Sequence, residues 1–88
     1  MIKIKEGFML REVAGSFAVV PVGKASINFK GMISLNETGT FLWKLLAEGI
    51  TKDDLLVKML AEYDVNEEVA KTHIDTFIKK LGESGLLE

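Results

Sequence analysis

Along the chain the apolar residues keep two different periods, and the change falls inside the stretch Met32 to Trp43, MISLNETGTFLW. Before Asn36 apolar and polar positions alternate as in a strand, whereas after it Phe41, Leu42, Leu45 and Leu46 recur at helical spacing. A strand therefore feeds directly into a helix. Asn36 suits the N-cap, because its side chain can accept from free N–H groups of the first turn while Glu37 meets the positive end of the helix dipole. Gly39 lies four residues before Trp43, one turn beneath it, so the indole is expected to lie over bare backbone.

The same reading extends to the rest of the chain. Phe8 to Ala14 and Phe17 to Val22 are apolar and β-branched enough to be strands, and Gly15-Ser16 between them is a Gly-X pair suited to a type II′ hairpin turn. Pro21 cannot donate to a ladder and belongs near a strand end or on an edge. Ile27 and Phe29 alternate with polar residues and could add a short strand before Met32 to Leu35, which leaves the sheet at three or four strands. The first helix runs from about Glu37 to Glu48 and stops at Gly49, with Phe41, Leu42, Leu45 and Leu46 as its core stripe. Trp43 falls off that stripe, so it either packs against the hairpin or stands partly exposed at an interface. Thr51 and Asp54 form a Thr-x-x-Asp variant of the capping box for a second helix, which buries Leu55, Leu56, Met59, Leu60 and Tyr63. The third helix starts after Asn66 with Glu67 and Glu68, carries Lys79 and Lys80 in its last turn, and ends before Gly85. Gly85-Leu86-Leu87 then returns apolar residues to the core as a short extended tail.

Strands first and three helices after them predict an α+β domain, an N-terminal antiparallel sheet with helices on one face, winged-helix-like in its parts. At 88 residues the chain is one domain with one modest core. Nearly half the residues are apolar, yet no apolar run is long enough to span a bilayer, and the early lysines do not fit a signal peptide. A cytoplasmic location without membrane association is expected. With no cysteine and a single histidine, there is no thiol chemistry and too few ligands for a histidine-based metal site, so no cofactor or metal is expected. Residues 1–35 carry five Lys or Arg against two Glu, and residues 36–88 six Lys against eleven Asp or Glu. The helical part is therefore acidic, which argues against nucleic acid as a partner.

Four blocks carry a resemblance: Leu35-Asn36-Glu37-Thr38-Gly39; then Trp43, Leu45-Leu46 and Gly49; then Glu62-Tyr63-Asp64-Val65; and finally Leu81 with Gly85-Leu86-Leu87. In their order and spacing the chain resembles the PqqD-like family of precursor-peptide recognition elements. The resemblance covers the last two thirds of the chain well and the first third loosely. It implies a winged-helix variant in which the sheet precedes the helices. It further implies that the leader segment of a ribosomally made precursor peptide adds as a strand beside Gly31, Met32, Ile33, Ser34 and Leu35, in a groove facing the third helix. The partner enzyme is then often of the radical S-adenosylmethionine class, and the namesake pathway makes pyrroloquinoline quinone.

The residues themselves leave more open. An exposed sheet edge can be completed by an extended peptide, but every open sheet has two edges, and either could pair with a second copy. The chain is thus expected to be a monomer or a weak homodimer. At 100° steps the third helix places Ala70, Ile74, Phe77 and Leu81 on its core stripe, and Val69, His73, Thr76 and Lys80 on a neighbouring stripe of mixed character. That stripe is either a groove wall or an ordinary border between core and solvent. Histidine can make binding pH-dependent, although His73 equally fits a plain surface position. Serines without a histidine at motif spacing, and paired carboxylates that sit at helix starts, give no support to catalysis. The reading that follows is a non-catalytic module that captures a leader peptide and presents it to a modifying enzyme. The alternatives are a winged-helix DNA-binding protein with the third helix in the major groove, and a subunit that only scaffolds a larger enzyme.

Overall fold

The computed structural model describes residues 1–24 and 32–88. The expected extra strand at Ile27 and Phe29, and Gly31, lie outside the described residues. Three strands, β1 (Phe8–Val13), β2 (Ser16–Pro21) and β3 (Ile33–Leu35), form an antiparallel sheet in the order β1-β2-β3. Three helices follow, α1 (Glu37–Glu48), α2 (Lys52–Glu62) and α3 (Glu67–Glu83). The α+β architecture is the one the periodicity predicts.

The register decides which residues meet the helices. Phe17 lies opposite Leu35 and Val19 opposite Ile33, while Leu10 lies opposite Val19, so these side chains share one face of the pleated sheet. That face closes on the helices through Val19 and Leu35 of the strands and Leu42, Leu46, Leu55, Met59, Ala70, Ile74 and Leu81 of the helices, all buried in one core. Each helix begins at a side-chain cap. Asn36 Oδ1 accepts from the Gly39 N–H at 2.7 Å, Thr51 Oγ1 from the Asp54 N–H at 3.1 Å, and Asn66 Oδ1 from the Val69 N–H at 2.8 Å. Gly49 ends α1 with φ 90°, as the chain reading expected of it.

Four details correct the sequence reading. The hairpin pairs Val13 with Ser16, so its loop is Ala14-Gly15 instead of Gly15-Ser16. Both loop residues have positive φ, 52° and 82°, the sign pattern of a type I′ turn, which matches the twist of the flanking strands better than the side chain of Ala14 tolerates it. Trp43 is buried, and the inward stripe of α1 is Gly39, Leu42, Trp43 and Leu46, while Phe41 and Leu45 are only half-buried. The stripe is shifted because α1 packs against both β3 and α2 and also receives the N-terminal segment, whose Ile4 N–H donates to the Leu46 carbonyl at 3.1 Å. The groups nearest the bare backbone at Gly39 are not the indole. A Cβ there would meet Asn36 Oδ1 at 3.1 Å, Phe77 Cε1 at 3.3 Å and Leu35 Cδ2 at 3.5 Å, so it is the ring from α3 that uses the space. Finally, α3 runs to Glu83, which leaves Lys80 as the basic residue of its last turn, without Lys79.

The first residues of the chain were given no element by the sequence reading, yet they are built into the fold. Ile2 and Ile50 exchange hydrogen bonds of 2.8 and 3.0 Å, the Lys5 N–H donates to the Leu86 carbonyl at 2.8 Å, and the Glu88 N–H donates to the Lys3 carbonyl at 2.9 Å. Ile4 and Leu86 are buried in the core beside them. The alternation Ile2-Lys3-Ile4-Lys5 was the signal for this extended segment.

Candidate functional site

The strand order puts β3 at one edge of the sheet, and among the described residues no strand pairs with its outer side. Successive residues of an edge strand aim their N–H and C=O groups alternately inward and outward, so part of the β3 backbone faces open space. Directly beyond that edge stands α3. Between them lies a cleft of about 410 Å³.

Each side of the cleft has a different chemical character. Ser34 and Leu35 form the strand side, Asn36, Thr38, Gly39 and Leu42 belong to the start of α1, and Thr72, His73, Thr76, Phe77 and Lys80 form the helical wall. Leu35, Leu42 and Phe77 supply an apolar floor, since Leu35 and Leu42 are core residues and Phe77 packs against them half-buried. His73, Thr76 and Lys80 are exposed and carry the polar groups of the wall. Lys80 forms no ion pair among the described residues, whereas Lys71 is held by Glu67 one turn away at 3.8 Å and Lys52 by Asp75. A segment lying in this cleft would meet main-chain donors and acceptors on one side, apolar carbon beneath, and on the far wall the Lys80 ammonium, which is without an ion pair among the described residues.

The residues singled out from the sequence distribute as follows. Ser34, Leu35, His73, Thr76 and Lys80 come together around the cleft. Met32 precedes β3 and is exposed, and Ile33 is half-buried within it; neither lines the cleft. Val69 is exposed one turn before His73 and borders a shallower hollow of about 320 Å³ with Glu68, Thr72 and His73. Gly31 lies outside the described residues. The floor was missed, because Leu42 and Phe77 read as core, and Gly39 as a bed for Trp43. Thr72 was missed as well, although it lies four residues before Thr76 on the same face; its hydroxyl donates to the Glu68 carbonyl at 3.0 Å.

The family model described as coenzyme PQQ synthesis protein D (PqqD) matches residues 18–87. The chain belongs to the PqqD family. The match begins within β2 and runs to the tail, so every residue of the cleft lies inside the part that defines this PqqD-family domain. Among solved structures, TbiB1 in complex with the TbiA(beta) leader peptide has 21% sequence identity and a TM-score of 0.77, with 98% of this chain and 94% of that chain covered. Lasso peptide synthetase B1 complexed with the leader peptide has 16% identity and a TM-score of 0.76, with 99% and 96% covered. At these identities the likeness establishes a shared fold over the whole of both chains. No curated protein sequence matches. Among the described residues no group of three or more His, Asp or Glu is placed to hold a metal ion, and no helix is long and apolar enough to cross a membrane.

Proposed function

We propose that this PqqD-family domain binds the leader segment of a ribosomally made precursor peptide by strand addition to β3, and presents the remainder of the peptide to a separate modifying enzyme. The observation that carries this reading is the edge of β3 opening onto a cleft walled by α3. No residue of β1, the other edge, lines either this cleft or the hollow beside Val69. In both structural relatives the protein of like fold is held with a leader peptide.

Magnitudes decide what each part of the cleft contributes. β3 is three residues long, so pairing along it adds only a few main-chain hydrogen bonds. At about 0.5–1.5 kcal/mol each, these fall short of the roughly 4–15 kcal/mol that association costs. Apolar side chains of the peptide must therefore pack on the half-exposed ring of Phe77 and the edge of Leu35, above the fully buried Leu42, at about 25 cal/mol per Å² buried. Lys80, with Thr76 and His73, meets a carboxylate or carbonyl on the wall. Met32, Ile33, Ser34 and Leu35 are the pairing segment, and Val69 extends the wall beyond His73; Gly31, the remaining expected position, lies outside the described residues.

In this reading the domain is not itself an enzyme and needs no cofactor. Tethering the leader raises the local concentration of the rest of the peptide at a partner's active site, and a radical S-adenosylmethionine enzyme is the partner class put forward. The setting is the cytoplasm, and the domain acts as a monomer or weak homodimer. DNA binding through α3 is not favoured, because Lys71 is paired with Glu67, and Asp75, Glu68 and Glu83 set negative charge along the same helix.

An amide NMR titration with the leader peptide encoded beside this gene tests the proposal. Shifts are expected at Met32 to Leu35 and at Thr72, His73, Thr76 and Lys80. Shifts confined to other surfaces, or steeply salt-dependent binding of duplex DNA in their place, would sink it.

A further inference from the structure

A second cavity, of about 480 Å³, lies on the other side of the β3–α1 junction. Its walls are the hairpin tip at Gly15 and Ser16, the ring of Phe17, the outer face of α1 and Tyr63 at the end of α2. Phe41 and Tyr63 meet edge to face, with centroids 5.4 Å apart at 90°. Lys44 Nζ stands 5.9 Å from the centroid of the Phe17 ring. Glu37 is exposed at the rim and takes part in no ion pair among the described residues. Glu37 lines the cavity together with the rings. Burial raises the Tyr63 phenol above its ordinary value, and the Glu37 and Glu62 carboxylates raise it further against a lowering by the Thr38 hydroxyl.

We propose that this cavity binds the guanidinium of an arginine carried by the same extended peptide that occupies the cleft. Three half-buried aromatic rings and the Glu37 carboxylate, which has no ion pair among the described residues, supply the two groups a guanidinium uses: ring faces attract cations, and a carboxylate accepts two parallel N–H bonds from a planar fork. Lys44 shows that a cation is accommodated against one of these rings, and in the free protein it occupies part of the position. The two cavities share Leu35 and Asn36 in their linings, so one segment leaving the end of β3 can reach both. The proposal thus rests on the strand-addition reading for the source of the arginine, but not for the chemistry of the cavity.

The test uses the full ¹⁵N-labelled chain and two kinds of probe. N-acetylarginine amide and its uncharged citrulline counterpart are titrated first, followed by a short Thr-Val repeat peptide carrying arginine or citrulline at one end, made in both orientations. The arginine amide is expected to shift Phe17, Phe41, Tyr63 and Lys44, with the citrulline amide weaker by about two- to fivefold. Glu37→Gln should weaken the arginine amide by a similar factor, and Lys44→Ala should strengthen it by vacating the ring face. Equal response to arginine and citrulline amides, or no shift at these residues, overturns the cavity assignment. Arginine and citrulline peptides of equal affinity in both orientations overturn the shared-peptide assignment. The strand-addition reading is judged separately, by whether either peptide moves Ile33 to Leu35 and Thr76.

Discussion

Gly39→Ala is the substitution for which the geometry and the helix scale disagree in sign. Within a helix, replacing glycine by alanine stabilises by about 0.8–1.0 kcal/mol, because alanine loses less backbone freedom. At Gly39 the added methyl would stand 3.1 Å from Asn36 Oδ1 and 3.3 Å from Phe77 Cε1, both tighter than ordinary contact. Moving the Asn36 oxygen weakens the cap bond to the Gly39 N–H, a bond class worth about 0.5–2 kcal/mol. Displacing a packed ring adds about 1–3 kcal/mol. The losses outweigh the gain, and a net destabilisation of about 1–3 kcal/mol is expected. Urea melts followed by circular dichroism measure it. The cause is isolated by repeating the substitution in a Phe77→Leu background, which removes the nearest ring atom: there the cost should fall by about 1 kcal/mol, a coupling typical of residues in contact. A Trp43→Phe background should leave it unchanged. A stabilising Gly39→Ala, or relief from Trp43→Phe instead of Phe77→Leu, would refute the reasoning. The same variant should weaken leader-peptide binding, because Phe77 can yield only toward the cleft or the core.

Other outcomes follow from single positions. Ala14→Asn should stabilise the hairpin by about 1 kcal/mol, since asparagine tolerates the left-handed region and Asn-Gly is the favoured type I′ pair; thermal melts should then rise by about 4–8 °C. Tyr63 is the one tyrosine, so its ionisation can be followed alone by ultraviolet absorbance, and its midpoint should lie above 10.0. Because the folded value is raised, the corresponding stability is present below pH 10.0 and lost as pH rises through the folded midpoint; Glu37→Gln should lower that midpoint, leaving burial, the larger cause, in place. Ile4→Ala should destabilise by about 2–4 kcal/mol in denaturant melts, and a change below 0.5 kcal/mol would mean that the N-terminal segment adds nothing to the core.

What the sequence disclosed depended on how local its cause was. Asn36 and Thr51 cap their helices as read, and α3 starts after Asn66 as read, with Asn66 as its cap, because a cap needs only residues three positions apart. The α3 stripes were legible from period alone, and His73, Thr76 and Lys80 do face β3 across the cleft. Gly39 was misread because its neighbours include Leu35 of β3 and Phe77 of α3, which no spacing within α1 records, and Trp43, placed off the core stripe by period, is buried with it. The hairpin loop was misread by one residue because the type II′ rule was applied to glycine, while the register set by the strands placed Ala14 in a conformation that its side chain disfavours. The second cavity was not visible at all. It is assembled from the hairpin, α1 and the end of α2, which lie far apart in the chain.

The pairing of the two chain ends has a consequence for motion. Ile2 is tied to Ile50 between α1 and α2, and Lys3 and Lys5 are tied to the tail that follows α3, so the first five residues splice the end of the cleft wall to the base of the other helices. Closing that splice brings together residues separated by nearly the whole chain, which makes it an entropically expensive contact to form and a late one. It is also a natural first point of opening. Amide exchange at Lys5 and Glu88, whose N–H groups donate across the splice, should therefore share an opening free energy with the last turns of α3, and a peptide that braces Thr76 and Lys80 from the cleft side should slow exchange at both.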